Sequence, residues 1–126
     1  MIKKVFNINN KWKVIVYYNI DYNLFDYIAD DIYKLGVSNK SLYRVYKMMK
    51  SGRAKAVTIS SPLKKCSIVG FNSTNSNYDL VNSIVHESVH VMEAMLDYYD
   101  IDISGEAPAY TIGYLVQIMI RPLSLI

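Results

Sequence analysis

The chain has 126 residues, 52% of them hydrophobic and 20% charged. That is too apolar for a disordered segment and long enough to bury about two-thirds of the unfolded surface without disulfides. Its one cysteine, Cys66, excludes an intramolecular disulfide and a thiolate metal cluster, so any metal must be held by His, Glu or Asp. The net charge of +3 is unevenly placed: residues 1–65 hold 13 basic and 4 acidic side chains, residues 66–126 hold 1 basic and 7 acidic. The first part can attract nucleic acid or an acidic partner, and the second is the better home for a cation.

Residues 5–18, VFNINNKWKVIVYY, read as a β-hairpin turning at Asn9 and Asn10, because Asn tolerates the left-handed conformations of tight turns. Over residues 24–35 the apolar positions Leu24, Phe25, Ile28, Ile32 and Leu35 recur at helical spacing, with Asp21 as a cap and Gly36 as a stop. A second helix is expected over 41–49, with Leu42, Val45 and Met49 inward, Gly52 ending it, and Arg44, Lys47 and Lys50 outward. Two β-branched runs, 56–60 and 67–71, flank the turn sequence SPLKK and predict paired strands. The polar loop 72–77 leads to a long helix over 78–98, capped at or near Asp79. A last helix begins near Glu106, where Pro108 fits the first turn.

These elements predict an α+β fold in one domain, 1–126, with a small sheet packed on the long helix. Asn7, Asn9, Asn10, Lys11 and Lys13 interrupt any signal-peptide core. The apolar stretch 114–126 is broken by Gln117, Arg121 and Pro122 and is too short to span a bilayer. The expectation is therefore a soluble chain with no membrane partner. The basic surface around Arg44, Lys47, Lys50, Arg53 and Lys55 is a second candidate feature. No compact basic-aromatic run accompanies it, so it reads as a solvated face before it reads as a nucleic-acid surface.

The long helix carries the chain's only two histidines, His86 and His90, in the sequence HESVH. Residues four apart share a helix face, so both rings can offer a nitrogen to one ion, while Glu87 sits a step around, placed to accept a proton from a bound water. The apolar neighbours Ile84, Val85, Val89, Val91, Met92, Met95 and Leu96 predict a buried helix. Polar groups buried there would need a satisfying partner, such as a metal. The bland alternative is a surface-facing polar stripe. A third donor must be a carboxylate: Glu106 from the last helix is the best placed, Asp100 and Asp102 from the intervening turn are alternatives, and Glu93 lies further along the same helix.

HESVH followed by GEAPAY resembles the gluzincin branch of the zincin metallopeptidases, and is most similar to short zincin-like peptidases of phage and prophage origin. The match covers residues 84–114. Position 96, ten after His86, is Leu, which sets aside the branch with a histidine there. The resemblance implies a minimal zincin-like domain whose sheet packs on the active-site helix and whose next helix supplies the third ligand. It implies Zn²⁺ held by His86, His90 and Glu106, Glu87 as general base, and Tyr110 or Tyr114 assisting the oxyanion. The two tyrosines are read as core residues at least as readily as catalytic ones.

The implied activity is hydrolysis of a peptide or protein substrate in the cytoplasm or a virion. The alternative is an inactive zincin-derived metal-binding or interaction protein of phage or mobile-element origin. With little chain left to wall a cleft, a protein partner could complete it, with Leu115, Ile118, Met119 and Leu123 as its apolar contact. A peptide substrate could instead pair with the strand 67–71 if that strand is an edge.

Overall fold

A computed structural model describes residues 1–124. Among these it contains a four-stranded mixed sheet and four α-helices, an α+β fold as expected. No helix among the described residues is long and apolar enough to cross a membrane. The chain divides into two compact units, Met1–Ser73 and Thr74–Ile126.

The first unit opens with the expected hairpin, β1 (Ile2–Ile8) antiparallel to β2 (Trp12–Tyr18). Asn9 and Asn10 take φ of 52° and 59°, the conformations that make Asn the fitting residue there, and the Asn7 side chain accepts from the Asn10 N–H at 3.0 Å. Asp21 caps a short 3₁₀ turn, Tyr22–Leu24, and not the helix it was expected to cap: α1 (Phe25–Lys34) follows with Leu24 at its N-cap and no side-chain cap bond. Helix α2 (Asn39–Lys50) is capped by Ser38, which accepts from the Ser41 N–H. Gly36 and Gly52, at φ of 87° and 78°, stop the two helices.

Strands β3 (Ala56–Ser61) and β4 (Cys66–Phe71) pair antiparallel, and β4 pairs parallel with β2, giving the order β1-β2-β4-β3. β4 is therefore a central strand. The expectation that 67–71 could accept a peptide along an open edge is overturned, because both its flanks are already hydrogen-bonded; the edges are β1 and β3. The core of this unit joins Ile15, Tyr17 and Ile68 of the sheet to Ile28 and Ile32 of α1 and Met49 of α2. Cys66 is buried there too, and burial raises its thiol pKa, as suits a small core residue.

Two polar devices hold this unit in register. Trp12 donates to the Ser67 hydroxyl at 3.0 Å, and Ser67 in turn pairs with Ser60 at 2.7 Å, so the buried hydroxyl has partners on two strands. The Asn72 amide donates to the carbonyls of Met49 and Ala54 at 2.8 and 2.9 Å, while its oxygen accepts from Tyr22. One side chain thus ties the end of α2, the entry to β3 and the turn before α1.

The second unit contains α3 (Asn77–Tyr98) and α4 (Ala107–Ile120), packed on one another, followed by a 3₁₀ turn, Arg121–Leu123. The cap of α3 is Ser76 rather than Asp79: its hydroxyl accepts from the Asp79 N–H, which leaves Asp79 in the first turn. Leu115, Ile118 and Met119 are buried. These three of the four residues expected to receive a partner are therefore core residues, while the fourth, Leu123, is half-buried.

Candidate metal centre

His86 and His90 lie one turn apart on α3 with their Nε2 atoms 3.3 Å apart and their rings crossing at 69°. The helix brings them together, since a step of four advances the chain by little more than one turn. Which ring donates depends on the tautomer, and one Nε2–H pointing at the other Nε2 satisfies the pair. The separation has a second reading. Two nitrogens each about 2.0–2.1 Å from a tetrahedral zinc stand roughly 3.3 Å from one another, so the pair already has the span of two ligands on one ion.

Both imidazoles face solvent, with 68% of the His86 side chain exposed. This corrects the buried-helix expectation. The apolar neighbours Ile84, Val91, Met92, Met95 and Leu96 are indeed buried, but they occupy the other side of α3. Asp79, Asn82, His86, His90, Glu93 and Asp97, at steps of three and four, form the exposed face. That spacing was readable in the sequence, and it is the polar stripe offered above as the bland alternative. The free-energy argument for a metal fails with it. The histidines are solvated, and among the described residues no buried side-chain nitrogen or oxygen lacks a hydrogen-bond partner.

Glu87 behaves differently. Its side chain is 6% exposed, on the buried shoulder of the stripe, and its Oε2 stands 3.9 Å from His86 Nε2, beyond hydrogen-bond length. Next to it, Ser88 is fully buried and returns its hydroxyl to the Ile84 carbonyl at 2.7 Å, which satisfies it within the helix. The three groups HESVH was expected to offer are thus adjacent: two open nitrogens and a shielded carboxylate beside one of them.

The third donor is not brought to them. Among the described residues no group of three or more His, Cys, Asp and Glu side chains is arranged to hold a metal. Glu106 occupies the N-cap position of α4, exposed and without a side-chain cap hydrogen bond. Asp102 accepts from both the N–H and the hydroxyl of Ser104 at 2.8–2.9 Å, contacts that hold its carboxyl below the usual carboxylate range, first through the backbone bond. Its role is to shape the turn. Asp100, at φ 53°, sits in the same turn. Tyr110 and Tyr114 are 75% and 45% exposed on α4, so neither is the core residue it was thought at least as ready to be.

The residues present therefore fit zinc as a pair of nitrogen donors with a neighbouring carboxylate, and they do not by themselves complete a tetrahedral protein site. Compared with protein-family models, curated proteins and solved structures, the chain gives no match.

Proposed function

We propose that the chain is a zinc-dependent hydrolase acting on peptide bonds, with His86 and His90 holding the ion, Glu106 as third ligand and Glu87 as the base. The observation that carries this reading is the 3.3 Å span of the two Nε2 atoms with the Glu87 carboxylate shielded beside them. Bound zinc would polarise the substrate carbonyl and acidify a water. The chain's own residues would do the rest. The rigid α3 backbone fixes the two nitrogens on one face. Glu87, held off the imidazoles and screened from bulk water, can accept and return a proton without competing for the ion. Tyr110 and Tyr114, exposed on the helix that follows Glu106, supply phenols to donate to the oxygen of the attacked carbonyl as negative charge develops on it.

A second reading is a metal-binding or interaction protein without catalysis, in which the ion only braces the helices. The exposure of both histidines on an open helix face favours it. Metal content by mass spectrometry on the wild type, His86→Ala, Glu106→Ala and Glu87→Gln separates the readings. About one zinc in wild type and Glu87→Gln, with loss in the other two, supports the full ligand set; peptide-library cleavage lost in Glu87→Gln then supports the hydrolase. Zinc retained in Glu106→Ala removes that residue from the set. No zinc in the wild type after incubation with the metal overturns both.

A further inference from the structure

A groove of about 460 Å³ lies along the outer side of α2, lined by Lys40, Tyr43, Arg44, Lys47, Met48 and Arg53 among others. All of it belongs to the first unit and none of it to the histidine stripe. Helix α2 has no acidic residue, and among the described residues no carboxylate forms an ion pair with Lys40, Arg44, Lys47 or Arg53. Four cations thus line one depression with their charges left for an external anion. Inside it Tyr43 is 61% and Met48 44% exposed, and the Lys47 ammonium lies over the Tyr43 ring at 5.5 Å. The sequence shows the basic residues, but the aromatic among them becomes visible only when α2 turns Tyr43 to the same side as Arg44 and Lys47.

We infer that this groove binds single-stranded nucleic acid. The cations track the phosphates, and the exposed tyrosine supplies a stacking face for an unpaired base. A duplex would use the charges but not the ring, because its bases are already stacked. An acidic protein segment would use the charges without needing an exposed aromatic in their midst. A nucleotide whose phosphate is held by Lys47 has its base in reach of the ring that ammonium already touches.

Fluorescence anisotropy of the full chain with a labelled oligothymidine, against a duplex of equal length and a polyglutamate competitor, tests the assignment. Four phosphate contacts predict a log–log salt slope of roughly −3, hence about 50-fold weaker binding at 200 than at 50 mM salt. Tyr43→Ala should lose about five- to 150-fold in affinity for the single strand, and Tyr43→Phe should retain it. Arg44→Ala with Lys47→Ala should flatten the slope. All these positions are exposed, and an unchanged circular dichroism melt shows that the variants fold. Absence of binding at 50 mM salt overturns the proposal. So does equal or tighter binding of the duplex with no effect of Tyr43→Ala, or displacement of the single strand by polyglutamate at equal charge.

Discussion

Two clusters in this chain each set a carboxylate among donors, and they differ in what closes them. Asp31 of α1 receives Lys3 Nζ at 2.8 Å and the Tyr17 hydroxyl, with 13% of its side chain exposed. Burial works against its charge, but the hydrogen bonds from Lys3 and Tyr17 outweigh burial and hold the carboxyl below its ordinary range. Every donor there is spoken for by the fold. On α3, Glu87 is buried to a similar degree, yet the His86 ring nitrogen stands 3.9 Å from it, and both imidazoles are turned to water with their Nε2 atoms 3.3 Å apart. A cluster that the fold completes is architecture. One whose ring nitrogens stand at the solvent is open to an added ligand.

Four measurements sharpen or break that contrast. The largest effect should come from the architectural side: Asn72→Leu removes both donors to the Met49 and Ala54 carbonyls and should cost about 2–3 kcal/mol in urea unfolding. Adding zinc at a hundred times its dissociation constant should stabilise the wild type by about 2.7 kcal/mol, and His86→Ala or His90→Ala should erase the shift. An unmoved melting temperature would mean that the histidine pair is as closed as the Asp31 cluster.

Asp31→Asn should cost about 1 kcal/mol at neutral pH. Its sign with pH is fixed: the folded pKa lies below the unfolded one, so the contribution is present above the unfolded value and lost as pH falls through the folded one. Melting curves of wild type and Asp31→Asn should therefore converge on the acid side. The smallest effect is His86→Ala without metal, expected within about 0.5 kcal/mol of wild type because an exposed ring supports little; a larger loss would show that the pair is structural.

The sequence made the element order legible because its stop and turn residues are chemically specific: Asn9 and Asn10 at the hairpin, Gly36 and Gly52 after the helices, Pro108 in the first turn of α4 all do what their backbones favour. The cap of α3 slipped from Asp79 to Ser76 because either side chain can satisfy a first-turn N–H, and only geometry chooses. Strand order was not legible. Residues 67–71 carry no mark of being central, since a parallel neighbour arrives from far along the chain. At the candidate site the pairing of His86 with His90 follows from helical spacing alone. Their exposure was legible too, in the polar steps from Asp79 to Asp97, but the apolar residues interleaved with them, which point to the opposite side, suggested a buried helix instead. The placement of Glu106 depends on how the 99–106 turn reverses, which spacing on a helix cannot give.

The parallel pairing of β2 with β4 sets a schedule as well as a shape. Lys13 finds its partner in Cys66 and Tyr17 in Gly70, so half of the hydrogen bonds of the apolar strand WKVIVYY wait for a segment synthesised some fifty residues later. On a ribosome delivering roughly 5–20 residues each second, that strand leaves the exit tunnel with one edge unpaired for a matter of seconds. The hairpin partner β1, with Lys3 and Lys4 along it, offers its charges against unwanted pairing during that interval. The other edge of β2 has only Lys13 as such a guard, and a nascent chain stalled before residue 71 would present it to its neighbours.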